Sequence, residues 1–77
     1  MKYKPWKISE NYSSEQMIFK FDNGYGAIIT RFVDNSFEPQ RVIIIGDTIF
    51  RDKKEKYHPR IDSINELNQY LYKIKRM

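Results

Sequence analysis

The chain has 77 residues, no cysteine, a single histidine and a formal net charge of +4. That length makes one domain with a thin core, since a chain this short buries only about 60% of the surface it exposes when unfolded. The lack of cysteine excludes disulfides, thiolate metal clusters and a cysteine nucleophile, and it suits a cytosolic protein. Aromatic residues at 16% and charged residues at 31% supply enough large apolar side chains to argue against disorder. The positive balance favours anionic partners, although a small lysine excess also serves solubility alone.

Residues 1–15 show no sustained period and read as an irregular N-terminal arm, outside a single domain over 16–77. The basic start, with Lys2, Lys4 and Lys7, runs into no apolar stretch and does not read as a secretory signal. The longest aliphatic run, Val42 to Ile45, is too short to cross a bilayer. A soluble, cytoplasmic chain is the expectation, with Tyr3 and Trp6 of the arm packing onto the domain.

Gln16 to Phe21 alternates as a strand, with Met17, Phe19 and Phe21 on one face. Asn23-Gly24 is the strongest short hairpin signal. As a two-residue type I′ turn it pairs Asp22 with Tyr25, Phe21 with Gly26 and Phe19 with Ile28. The core face then holds Met17, Phe19, Phe21, Ile28 and Phe32. Lys20, Asp22, Tyr25, Ile29 and Arg31 point the other way. Gly26, opposite Phe21, leaves room for that aromatic ring. The other reading of "FDNGYG" is a phosphate-cradling loop, which needs its glycines to run into a helix N-terminus. β-rich sequence, Ala27 to Thr30, follows instead.

Tyr25 to Val33 reads as the second strand, and residues 34–39 as a loop. Gln40 to Ile45 is a third strand, buried on both faces. Gly46-Asp47 makes a type II′ turn with glycine first, and Thr48 to Arg51 is a fourth strand. Residues 52–60 form a charged loop or frayed strand end. Ser63 and Glu66 are spaced as a capping box. Ile64, Leu67, Leu71 and Ile74 make an apolar helical stripe, and Lys73, Lys75 and Arg76 suit the C-terminal end of the helix dipole. The fold expected is α+β: a four-stranded antiparallel β-meander packed against one C-terminal α-helix, with an irregular N-terminal arm.

Nothing in the pattern points to catalysis, a metal or a cofactor. The sequence points to no orienting acid or nucleophile for His58, and one histidine with scattered carboxylates lacks ligand spacing. Asp22, Asp34, Glu38, Asp47 and Asp52 sit at turns and strand ends, where aspartate bonds nearby backbone. Two surfaces stand out instead. Tyr25, Ile29 and Arg31, on the face away from the core, suit a protein contact. Lys53, Lys54, Lys56 and Arg60 suit phosphates. Lys2, Lys4 and Lys7 interleaved with Tyr3 and Trp6, and Lys73, Lys75 and Arg76, are two further basic clusters. Sequence leaves open whether the clusters meet. An exposed edge strand allows pairing with a partner or a second copy.

The hairpin "FDNGYGAII", the meander after it and the segment "IDSINELNQYLYKIKRM" resemble a group of small proteins encoded in phages and prophages. In that group an Asn-Gly-Tyr-Gly-Ala hairpin is followed by further strands and a short C-terminal helix. The likeness runs over residues 16–77 in layout and over Asn23 to Ala27 in tight motif, and it supplies no catalytic residues. It implies a non-enzymatic protein that engages a host protein or nucleoprotein complex in the host cytoplasm. Inhibitors of host defence nucleases, anti-CRISPR proteins among them, are one such class. Inhibitors that mimic DNA are strongly acidic. A basic chain would act through guide RNA or DNA, or through an acidic or apolar protein surface. The alternative is a direct nucleic-acid-binding module using Lys53, Lys54, Lys56 and Arg60.

Overall fold

Five strands and a helix follow along the chain: β1 (Lys7–Glu10), β2 (Ser14–Lys20), β3 (Tyr25–Phe32), β4 (Phe37–Ile45), β5 (Thr48–Arg51) and α1 (Ile64–Lys75). The computed structural model describes residues 2–56 and 58–77. The parts of the expected arm and charged loop that fall on Met1 and Tyr57 lie outside the described residues. The strands form one antiparallel sheet in the order β1-β2-β3-β4-β5. The α+β class and the meander with a C-terminal helix are as expected; the strand number is five rather than four.

The additional strand is β1, inside the segment read as an irregular arm. Its sequence, Lys-Ile-Ser-Glu, has one apolar residue, and Ile8 is 57% exposed. An edge strand that buries nothing leaves no alternation to read. Pairing holds it, with Ile8 opposite Met17 and Glu10 opposite Glu15. Asn11 closes the turn: its Oδ1 accepts from the Ser13 and Ser14 N–H groups (3.2 and 3.0 Å) and from Ser14 Oγ (3.0 Å).

The β2–β3 register differs from the expectation by one residue. Phe19 lies opposite Ala27, Met17 opposite Ile29 and Lys20 opposite Gly26. The loop has three residues, Asp22 to Gly24, and only Gly24 takes positive φ, at 85°. The Phe21 N–H donates to Tyr25 O (3.0 Å) and the Gly24 N–H to Phe21 O (3.3 Å). This is the three-residue hairpin, a turn followed by a left-handed residue, rather than the two-residue type I′ turn. The slip exchanges the faces of β3: Ala27 and Ile29 enter the core, and Ile28 leaves it. The β3–β4 hairpin repeats the device over Val33 to Asn35, with Asn35 at φ 64°. β4 therefore starts at Phe37, and the expected loop at 34–39 is shorter. The β4–β5 turn matches its reading, since Ile45 pairs with Thr48 and Gly46, at φ 61°, is the one turn residue at positive φ.

Gly26 has a different role from the one its expected register gave it. A Cβ there would lie 2.2 Å from the Phe19 carbonyl oxygen and 2.7 Å from Ile44 Cδ1. The position needs glycine because backbone and Ile44 fill the space, not because the Phe21 ring does.

Pro39 sits inside β4, opposite Ile29, and the edge beside it explains why it is tolerated. Phe37 and Ile61 exchange both backbone bonds at 2.8 Å, so the Phe37 N–H points away from β3. Two residues on, Pro39 points its nitrogen the same way and has no N–H to satisfy. Two further on, the Arg41 N–H donates to Glu55 Oε1 at 2.6 Å. The segment after β5 thus covers the β4 edge that the short β5 leaves open.

Helix α1 starts after Ser63, whose Oγ accepts from the Glu66 N–H at 3.1 Å, the Ser63 half of the expected capping box. It packs over β3. Its buried positions are Leu67, Tyr70, Leu71 and Ile74; Ile64, expected in the stripe, is 44% exposed. They join Met17, Phe19, Ala27, Ile29, Phe37 and Ile61 in one core, with Tyr3, Phe21 and Tyr25 packed at its margin. Fully buried residues such as Leu67 and Leu71 each contribute roughly 1.5–3 kcal/mol. At the other end of the helix, Asn23 Nδ2 donates to the carbonyl oxygens of Ile74 (2.8 Å), Lys75 (3.2 Å) and Met77 (3.2 Å). The hairpin loop therefore caps the helix.

Candidate functional site

The face assignment of Tyr25, Ile29 and Arg31 is corrected by the register. All three lie on the side that carries the helix. Ile29 is 0% exposed in the core, so it has no surface to offer. Tyr25 is half-buried against the core, with its N–H donating to Asn23 Oδ1 at 3.0 Å. Arg31 is exposed but paired with Glu15 at 3.4 Å. The three do not form one open surface.

The expected basic loop also divides. Lys53, Lys54 and Lys56 are exposed, and among the described residues none is in an ion pair. Arg60 turns away to the β3–β4 hairpin. Its guanidinium lies 4.1 Å from the centre of the Phe32 ring, 3.5 Å from Ser36 Oγ and 4.0 Å from Asp34 Oδ2. The Asp34 carboxyl is held below the ordinary range, first by the Ser36 hydroxyl and then by the Ser36 N–H.

Beneath the loop lies a polar network whose connections the linear pattern does not reveal. Arg41 Nε donates to Asp52 Oδ2 at 2.7 Å, and the Lys54 N–H donates to Asp52 Oδ1 at 3.0 Å. The Asp52 carboxyl is lowered by the Lys54 N–H first, with Arg41 adding to it. Tyr70 donates its hydroxyl to Glu55 Oε2 at 2.5 Å. Burial first, and then Glu55, push the Tyr70 phenol above its ordinary pKa. His58 stands edge-on to Tyr70, 5.1 Å between ring centres, with Nδ1 2.7 Å from Pro59 O. Of this network, Arg41, Glu55, His58 and Tyr70 line a cleft of ≈ 450 Å³ between the loop and α1. Asp52 and Glu55 are each tied to donors on other segments, which braces the loop against β4 and α1.

The arm and the helix end make the strongest surface. The Lys2 N–H donates to Asn68 Oδ1 at 3.1 Å, which brings the chain start onto α1. Lys2 Nζ then lies 5.8 Å from the ring centres of both Tyr3 and Tyr72. Lys75 Nζ is 5.5 Å from Tyr3, and the Arg76 guanidinium is 5.5 Å from Tyr72. Arg76 also donates to the Tyr72 hydroxyl at 2.7 Å. Tyr3 is seated edge-on against Phe21 at 5.8 Å, which anchors the cluster to the core. A few residues along the arm, Lys7 and Lys20 approach the Trp6 ring to 4.4 and 4.7 Å.

Two of the three basic clusters therefore meet, and the third stands apart. Lys2, Lys75 and Arg76 gather around Tyr3 and Tyr72, Lys7 and Lys20 stand separately at Trp6, and among the described residues none of the five is in an ion pair. Such a surface can neutralise phosphates and offer ring faces to bases. Interleaved lysines and aromatics were legible in residues 2–7; Tyr72 as their partner was not. No helix among the described residues is long and apolar enough to cross a membrane. Comparison with protein-family models, with curated proteins and with solved structures found no match.

Proposed function

We propose that this chain is a non-enzymatic binding protein that engages nucleic acid, free or within a host nucleoprotein complex, through the surface where the arm meets the end of α1. The observation that carries this reading is the gathering of Lys2, Lys75 and Arg76 around Tyr3 and Tyr72. Cations held over rings at exposed sites contribute only about 0.5–1 kcal/mol each to the fold. They stay available to phosphates, whose neutralisation releases counterions and drives binding. Lys53, Lys54 and Lys56 would add a second, separate phosphate contact. The resemblance of the Asn23–Ala27 hairpin to small phage-encoded proteins supports a place for this activity in a host cell. A defence nuclease carrying guide RNA or DNA is a target of matching charge, in the manner of an anti-CRISPR inhibitor.

The test is a Lys2→Ala, Lys75→Ala, Arg76→Ala variant measured by fluorescence anisotropy on labelled oligonucleotides. Affinity at low salt should fall by roughly tenfold or more, with the melting temperature preserved within a few degrees. Unchanged affinity would remove the site. A second reading, contact with a host protein or a second copy along the β5 edge, is favoured by Ile45 and Phe50, 67% and 49% exposed on the β4–β5 hairpin. Phe50→Asp should then abolish partner capture or self-association in sedimentation while leaving oligonucleotide binding intact.

A further inference from the structure

We infer that Trp6, with Lys7 and Lys20, is a seat for one unstacked base of a single-stranded nucleic acid, the two ammonium groups taking the flanking phosphates. This inference rests on the reading of the arm surface as a nucleic-acid contact, and it specifies which form of nucleic acid is bound.

The helix-side core draws on Tyr3, Phe21 and Tyr25 at its margin but not on Trp6. The largest ring in the chain is instead half-buried, beside Lys7 and Lys20, whose strand positions share the face of Ile18. Its backbone is fixed, since the Trp6 N–H donates to Ile18 O at 2.7 Å. Lys7 and Lys20 occupy neighbouring strands, and both bring their ammonium groups to the ring, 4.4 and 4.7 Å from its centre. Lys20 Nζ also donates to Gly46 O at 3.0 Å, an exposed contact. An anchored indole with two cations beside it matches the repeating unit of a single strand, a base flanked by phosphates. A duplex keeps its base faces inside the stack and presents phosphates alone, for which the ring serves no purpose. An exposed ammonium–ring contact is weaker than base–aromatic stacking. An arriving base can therefore displace the lysines from the ring onto its own phosphates.

The chain contains one tryptophan, so its emission reports on this seat alone. The experiment titrates the intact chain at low salt with oligothymidylate, with oligouridylate and with a DNA duplex of equal length. The expected result is quenching of Trp6 by single strands, with a Kd about tenfold below that for the duplex, the gain from stacking one base. Trp6→Ala should weaken single-strand binding about tenfold and leave duplex binding unchanged, and Trp6→Phe should recover part of the loss. Quenching by one single strand only would narrow the ligand to DNA or to RNA. Duplex binding as tight as single-strand binding, with unchanged emission, would overturn the inference while leaving the nucleic-acid reading standing. Absence of binding to all three would overturn both. The emission measurement uses the unmutated chain and does not depend on a variant folding.

Discussion

Gly24 and Gly26, two residues apart, are glycine for different reasons, and substitution separates them. A Cβ at Gly26 would collide with the Phe19 carbonyl and Ile44, whereas a Cβ at Gly24 meets nothing within 4 Å. Gly24 is instead held at φ 85°, where an L side chain costs about 1 kcal/mol. Gly26→Ala should therefore destabilise by roughly 2–3 kcal/mol or more, and Gly24→Ala by about 1 kcal/mol. For a domain of this size, thermal melts should show drops of roughly 10–20 °C and about 5 °C; equal drops would contradict the assignment. The ionisable residues give a pH signature. Asp34 and Asp52 have folded pKa values below their ordinary ones, so the unfolded chain takes up protons first as pH falls. Their stabilisation is complete above about pH 4 and is lost as pH drops through the lowered values. Tyr70 is raised, so the unfolded chain ionises first above about pH 10 and stability falls there. Melting temperature should thus be level between these limits and fall on both sides, and Asp52→Asn should flatten the acid limb.

At the scale of elements, two polar side chains hold the secondary structure together. Asn23 joins the β2–β3 loop to the last carbonyls of α1, and Glu55 accepts from both the Arg41 N–H and the Tyr70 hydroxyl. Glu55→Ala leaves two largely buried donors unpaired and should cost about 2–4 kcal/mol, while Asn23→Ala, at a more exposed site, should cost about 1 kcal/mol. Hydrogen exchange should show the first loosening the β4 edge and the second fraying the end of α1. These links also explain what sequence could and could not reveal. Asn23-Gly24 signals a hairpin, but the same pair suits a two-residue loop and a three-residue loop that ends on glycine. Tertiary contacts decided between them: Ala27 under the helix and Asn23 on its end. A one-residue slip then moved Ile29 inside. The helix was legible because Ser63 and the Leu67–Leu71–Ile74 spacing are local signals. β1 was not, because an exposed edge carries no period. The basic clusters were visible one by one, yet their meeting depends on where Lys2 docks on α1.

For the whole molecule, the main core lies between the sheet and α1, and cations that are in no ion pair among the described residues line the arm and the helix end. The central claim is that this surface binds nucleic acid, and its most direct test is the salt dependence of oligonucleotide affinity, measured by anisotropy for the unmutated chain and for the Lys2→Ala, Lys75→Ala, Arg76→Ala variant. For a single strand, log Kd should rise linearly with log salt, with a slope of about 0.7 per phosphate neutralised, and loss of three contacts should reduce that slope by about 2. No binding at low salt, or the same slope for both proteins, would contradict the account.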